Sequence, residues 1–235
     1  MSLSPSVDRV DTVALAVKGR RTDRARAIQG AVRPALRAVR SGEREPEMIR
    51  HPLGFMCLPL HRSDRLGLCI HVWRDDVDVA RPTTSGYHLH TWNLFSYVLY
   101  GGVKNEVGRV WEPPRPRDAP FRLFEIHSRE PSERGKPPVD HIVPTPALVA
   151  YTATGAEKVY MGDGYVVNAR QYHRTQVMNK AFTATLVLAE DWDERPQLSL
   201  GAVDHPEEIV TRDWYPAEVA RTVADHLLHV IPDDE

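Results

Sequence analysis

Many short apolar segments, separated by turn residues, follow one another from Gly54 to Glu190. They cover residues 55–60, 66–73, 88–100, 103–111, 121–127, 142–152, 157–167, 172–179 and 182–189. Segments of this length fit strands better than helices, and a long series of them with regular turns is typical of a sandwich or barrel. We therefore predict a mainly β domain over residues 51–195, in which 88–100 and 103–111 pair around Gly101 and Gly102.

Helical periodicity is confined to the two ends of the chain. Helices are predicted at residues 9–18 and 22–41, in an N-terminal extension (1–50), and at 216–230, in a C-terminal helical tail (196–235). Pro34 lies inside the second helix, where a proline can kink or split it. The arginines on the polar side of that helix predict a solvated face, with the rest packed on the main domain. An RNA-binding or partner-binding helix is the alternative.

Composition excludes several classes of function. The chain has 235 residues, of which 42% are hydrophobic and 26% charged, as in a globular protein. Its formal net charge of −2 offers no general attraction to nucleic acid or to an anionic membrane. No apolar run approaches the roughly 20 residues of a membrane span, and the first residues lack an apolar signal core. We expect a cytoplasmic protein with no nucleic-acid or membrane partner.

The two cysteines, Cys57 and Cys69, lie on neighbouring predicted strands. In a cytosolic protein both are expected to be reduced and to act as small buried hydrophobes. A metal site built on this pair would need further ligands nearby and a tighter spacing.

Three histidines form the pattern that bears most directly on function. His88 and His90 are two residues apart, so on a strand they point to the same face. His173 follows the Gly162-Asp163 turn and an apolar strand. Three imidazoles aimed at one point can hold a divalent metal and leave its other positions open. Structural histidines in a metal-free barrel are the alternative.

These residues resemble the two short motifs of the cupin superfamily. His88 and His90 match the first two ligands, and Gly101 matches the glycine that closes the first motif. Gly162 matches the glycine that opens the second motif, and His173 matches its histidine. The resemblance implies a jelly-roll barrel, also called a double-stranded β-helix, with the metal in its mouth.

The departures from the motifs shape the functional expectation. Leu94 and Phe95 stand where the first motif has its glutamate, which leaves three histidines and no carboxylate. Within the superfamily this set is similar to that of thiol dioxygenases and of certain ring- and diketone-cleaving dioxygenases, which hold Fe(II). Further departures are Pro82, Asn168, Arg170 and Val177, in place of glycine, proline, glycine and asparagine. A displaced fourth ligand could come from Glu106, Glu125 or His127.

The resemblance therefore implies a non-haem Fe(II) dioxygenase acting on a small-molecule metabolite with dioxygen, while Zn, Mn or Ni are alternative metals. Residues 183–187 lack the Ser-x-His-x-Tyr run of thiol dioxygenases, so a simple thiol is not the expected substrate. A non-redox isomerase, epimerase or lyase and a non-catalytic ligand-binding barrel remain open. A homodimer is expected, because the sheet edges of a jelly roll need cover.

Alternation along the strand predicts which side chains surround the metal. Trp92, Leu94, Ser96 and Val98 share the face of His88 and His90 if the strand has no bulge. We predict catalytic or substrate-contacting roles for Trp92, Ser96 and His71, the last in proton transfer with His61 as a second candidate. A substrate carboxylate could be held by Arg62, Arg109 or Arg122.

Overall fold

The structure is a computed structural model that describes residues 21–63, 66–82, 84–129, 136–179, 181–190 and 194–231. The predicted helix at 9–18 lies outside these residues. The helices are α1 (Arg21–Ser41), α2 (Ala217–Val230) and a short 3-10 helix (Pro116–Asp118). The strands are β1 (Ile49–His51), β2 (Phe55–Arg62), β3 (Leu66–Trp73), β4 (His88–Leu89), β5 (Asn93–Tyr100), β6 (Gly102–Trp111), β7 (Phe121–Arg129), β8 (Val139–Tyr160), β9 (Gly164–Val167), β10 (Tyr172–Val177), β11 (Thr183–Glu190), β12 (Gln197–Gly201) and β13 (Glu208–Thr211).

Two antiparallel sheets build the barrel. The order in the six-stranded sheet is β1-β2-β3-β11-β5-β9, and in the seven-stranded sheet it is β13-β8-β6-β10-β4-β12-β7. The 22-residue strand β8 pairs with β7 and β13 through its first half and with β6 through its second half. The prediction of a mainly β jelly-roll barrel with helices at both ends is confirmed.

The predicted pairing of 88–100 with 103–111 is wrong. Strand β5 pairs with β9 and β11 in the six-stranded sheet, whereas β6 pairs with β8 and β10 in the other sheet. Gly101 is the corner between them, with φ of +80°, and a Cβ added there would lie 2.6 Å from Thr183 Oγ1. A change of sheet at this glycine explains why two apolar segments so close in sequence do not form a hairpin.

The two helices cover the outer face of the six-stranded sheet. Helix α1 runs unbroken through Pro34, and its buried side chains pack with those of α2 and of the sheet in one apolar cluster. Among the fully buried members are Ile28, Val32, Leu36, Val223, Leu227, Leu58, Ile70 and Leu186. Burial of this stripe offsets the hydrogen bond that Pro34 removes.

The arginine face of α1 also contributes to packing within the chain. Arg33 Nη1 donates to the carbonyl oxygens of Leu228 and Ile231, at 3.2 and 2.6 Å, near the end of α2. Helix-terminal carbonyls lack partners within their own helix, so this contact satisfies them. Arg33 is thus buried and not solvated as predicted for the arginine side, although the helix packs on the chain's own domain as predicted.

We predict a helical tail for the segment 196–235, but this segment also contributes two strands to the barrel. Strand β12 lies between β4 and β7 in the seven-stranded sheet, and β13 forms the edge next to β8. Its alternating residues Gln197-Leu198-Ser199-Leu200 carry a strand pattern that is only a few residues long, too short to stand out in the sequence. In the described part of the chain, no helix is long and apolar enough to cross a membrane.

Candidate metal centre

The pairing of β4 with β10 brings His88, His90 and His173 together. His88 and His173 are direct cross-strand neighbours on β4 and β10, and His90 follows β4 by one residue. The ring centroid of His88 lies 4.7 Å from that of His90 and 4.5 Å from that of His173. Each histidine offers one ring nitrogen, and these nitrogens all lie within 4.8 Å of one another.

In His88 and His173, Nδ1 has a hydrogen-bond partner on the side of the ring away from the centre, so that Nε2 is turned toward the centre. His88 Nδ1 lies 2.9 Å from the carbonyl oxygen of Gly86, which can only accept, so Nδ1 carries the proton and Nε2 has the lone pair. His173 Nδ1 lies 3.3 Å from Asn105 Oδ1, and its Nε2 is buried without a hydrogen-bond partner. Such partners are how proteins orient metal-binding histidines.

The spacing of the nitrogens fits a divalent cation. Imidazole nitrogens bind an ion such as zinc at about 2.0–2.1 Å, so two of them are about 3.0 Å apart in adjacent octahedral positions and about 3.4 Å apart in a tetrahedron. The Nε2 atoms of His88 and His90 are 3.2 Å apart. This value suits either geometry and therefore does not select the metal.

All three imidazoles are neutral at physiological pH. Burial lowers the pKa of His88 to about 4. Burial, together with the neighbouring His88, also holds the pKa of His90 and of His173 well below the usual value. Neutral imidazole is the form that binds a metal, so no proton must be displaced first.

The centre opens onto a cavity of about 420 Å³. Its wall includes the predicted residues Trp92 and His71, and the Trp92 ring stacks on His90 with centroids 4.7 Å apart. Leu94 and Val98 belong to one apolar cluster with Trp92, as alternation predicts. Ser96 is buried beside its cross-strand neighbour Tyr165 and does not line this cavity.

The proposed fourth ligands do not join the three histidines. Glu106 lies on β6 opposite Arg174, whose Nη2 is 3.4 Å from its carboxylate oxygens. Glu125 and His127 form a pair at 3.1 Å and are both exposed. Alternation explains this, because the neighbouring residues Asn105 and Ile126 are the ones that face the barrel interior.

The other predicted side chains divide between wall and surface. His61 and Arg62 line the cavity, whereas Arg109 is exposed and Arg122 lies outside the wall. Sequence reasoning missed a polar group in the wall, in which the buried Asp140 is joined by the partly buried Arg212 and the exposed Ser128. Arg212 Nε and the Ser128 hydroxyl each donate to the Asp140 carboxylate at 2.7 Å. These residues come from three strands or their ends, so no local pattern could have linked them.

The cysteines also have a neighbour that the sequence did not reveal. The ring Nε2 of His71 lies 3.3 Å from Cys69 Sγ, and both residues form a group with Cys57. A hydrogen bond with Cys69 holds the pKa of the Cys57 thiol well below its usual value. Both cysteines are free, as expected, with Cys57 buried and Cys69 partly buried, and they lie beside an imidazole.

Arg170 occupies the position where the cupin motif has glycine, and its backbone has the conformation that favours glycine. Its φ is +66°, in the left-handed region that glycine adopts without strain. The conformation is held from both sides, since the Arg170 N–H donates to the carbonyl of His90 at 2.8 Å and Nη1 donates to the carbonyl of Pro196 at 2.7 Å. The loop before His173 is thus tied to the strand that carries the other two histidines.

No family model and no curated protein matches this chain. Among solved structures, it is similar to a conserved protein of unknown function from Streptococcus pyogenes, with 12% identity, 59% of this chain and 76% of the other covered, and a TM-score of 0.33. The hydroxypropylphosphonic acid epoxidase from S. wedmorenis shows 12% identity, coverage of 58% and 50%, and a TM-score of 0.30. Hydroquinone 1,2-dioxygenase from Sphingomonas sp. TTNP3 shows 10% identity, coverage of 57% and 65%, and a TM-score of 0.31. This chain spans only half of the length of the epoxidase, and structural similarity at these TM-scores does not indicate a shared chemistry.

Proposed function

We propose that this chain is a non-haem Fe(II) dioxygenase of a small-molecule metabolite. The observation that carries the proposal is a group of three neutral histidines, His173 buried and the other two partly buried, which no carboxylate of the described residues joins. His88 and His90 line a cavity large enough for a metabolite. Three neutral ligands leave a divalent ion its full charge and several open positions. Bound Fe(II) would supply redox chemistry with dioxygen, and Zn, Mn or Ni are the alternative metals.

The cavity wall suggests how a substrate would be held. Trp92 and the aliphatic wall bind the apolar body of the substrate and exclude water, while Arg62 and the Asp140–Arg212 pair provide a polar end. His71 lies where it can take up or release a proton of the substrate. Ser96, which is away from the cavity wall, would act as a positioning residue through Tyr165.

Metal binding can be tested without knowing the substrate. Protein stripped of metal is reconstituted anaerobically with Fe(II) and exposed to nitric oxide, a dioxygen analogue that gives a high-spin nitrosyl signal in electron paramagnetic resonance. We expect the signal in the wild type and in His127→Ala, the matched histidine control on the exposed face. His88→Ala and His173→Ala should lose it. Zinc that binds stoichiometrically at this centre and resists exchange for iron would count against the proposal.

The reaction class needs a separate test. The iron-loaded protein is incubated with fractionated metabolite extract, and oxygen consumption is followed together with substrate loss. Consumption that requires both iron and an extract fraction supports the dioxygenase. Substrate loss that continues without oxygen would instead favour an isomerase, epimerase or lyase. Binding of a metabolite with no turnover under either condition would favour a ligand-binding barrel.

A further inference from the structure

We propose that Cys57, Cys69 and His71 form a second metal site, for a thiophilic cation such as Zn(II), in the wall of the same cavity. Cys57 and His71 are direct cross-strand neighbours on β2 and β3, and Cys69 lies two residues before His71. A two-residue step on a strand places Cys69 and His71 on one face. The register of this hairpin therefore gathers two sulfurs and one imidazole at a single point.

The distances suit tetrahedral coordination. Zinc binds sulfur at about 2.3 Å and imidazole nitrogen at about 2.0–2.1 Å, which separates a sulfur and a nitrogen ligand by about 3.6 Å and two sulfurs by about 3.8 Å. In the structure, Cys69 Sγ and His71 Nε2 are 3.3 Å apart, and the three ligand atoms all lie within 4.8 Å of one another. The Cys69–His71 separation would need to open by a few tenths of an ångström, and the two separations that involve Cys57 exceed their ideal values by at most about 1.2 Å.

The chemistry of the donors separates this site from the three-histidine centre. Thiolates select soft or borderline ions such as Zn(II) and Cu(I), whereas three imidazoles alone also suit Fe(II). Cys57 is only 6% exposed, so its sulfur is shielded from bulk solvent. A bound cation would deprotonate both thiols, since a coordinating sulfur binds as the thiolate.

Three protein ligands leave a fourth position, as zinc sites that bind substrates do. All three residues line the cavity of about 420 Å³, and His71 also borders the small cavity beside His88, His90 and His173. A molecule in the cavity would thus contact both centres. A cation at the cysteine site uses the lone pair of His71, so the loaded chain would not use that imidazole for proton transfer. The inference does not depend on iron at the first centre.

Cobalt(II) is the probe, because its absorption distinguishes thiolate from imidazole ligands. Reduced, metal-free full-length protein is titrated with Co(II). We expect two equivalents to bind, one of them with thiolate-to-cobalt charge-transfer bands and the intense visible bands of tetrahedral cobalt. Cys57→Ser and Cys69→Ser should lose these bands and one equivalent. His88→Ala should keep them, and so should His61→Gln, the matched control on β2 in the same cavity wall.

A second measurement has a wild-type arm, whose result does not depend on how the variants fold. Alkylation of the two cysteines by iodoacetamide is followed by mass spectrometry, with and without Zn(II). We expect zinc to slow alkylation in the wild type and in His88→Ala but not in His71→Asn. Unchanged alkylation in the wild type, or cobalt bound without thiolate bands, would overturn the second site. Since His88→Ala removes only the first centre, failure of the iron proposal gives a different pattern.

Discussion

The amide oxygen of Asn105 lies 3.3 Å from Nδ1 of His173, and both side chains are almost fully buried. Asn105 is on β6 and His173 is on β10, so this contact crosses the sheet behind the metal centre. It holds the proton on Nδ1 and leaves Nε2 as the ligand atom.

Removal of this contact should weaken the metal site without removing a ligand. We expect Asn105→Ala to lower metal affinity by about 10–100-fold, the usual effect of losing the partner of a ligating histidine. Competition with a chromophoric chelator measures the change. Asn105→Asp keeps an acceptor and should retain more of the affinity. Equal affinity of the alanine variant and the wild type would show that the amide does not orient His173.

Metal should stabilise the folded chain, because the three histidines converge only after folding. With free metal at 100 times its Kd, the gain in the free energy of unfolding is about 2.7 kcal/mol. Calorimetry with and without a chelator should therefore show a higher Tm for the loaded wild type. In the Cys57→Ser background, which lacks the proposed cysteine site, this difference should vanish in His173→Ala and persist in His127→Ala. A shift that survives in His173→Ala would place the stabilising metal elsewhere.

Two glycines with the same backbone conformation should differ in their tolerance of alanine. Gly101 and Gly162 have φ of +80° and +87°, so alanine costs roughly 1 kcal/mol at either position. At Gly101 a Cβ would also lie 2.6 Å from Thr183 Oγ1, whereas at Gly162 nothing lies within 4 Å. We expect Gly101→Ala to cost about 1–3 kcal/mol more than Gly162→Ala in denaturant unfolding. Equal costs would mean that the corner at Gly101 can relax.

The strained conformation of Arg170 predicts an unusual order of stability. Both Arg170→Ala and Arg170→Gly lose the hydrogen bond to the Pro196 carbonyl, but only glycine relieves the left-handed backbone. Glycine also raises the entropy of the unfolded chain, which offsets part of this relief. We therefore expect the glycine variant to be more stable than the alanine variant by roughly 0.5–1 kcal/mol. Chemical denaturation of the two variants side by side tests this order. A more stable alanine variant would show that the loop adopts another conformation.

Local pattern alone was enough to predict much of the fold. The apolar segments at 55–60 and 66–73 become β2 and β3, and helical periodicity correctly predicts α1 and α2. The spacing of His88 and His90, with His173 after a glycine turn, predicts the group that the structure brings together. These signals are readable because strand and helix periodicity are properties of neighbouring residues.

Tertiary structure alone decided which strands pair and which side chains meet. Four features depend on the register between segments that lie apart in sequence. They are the partners of β5 and β6, the place of β12 in its sheet, the Asn105–His173 contact and the Cys57–Cys69–His71 group. A shift of one residue in any strand would turn these side chains to the opposite face. Register is set by how all the buried faces pack together, so the cavity wall around the three histidines exists only in the folded chain.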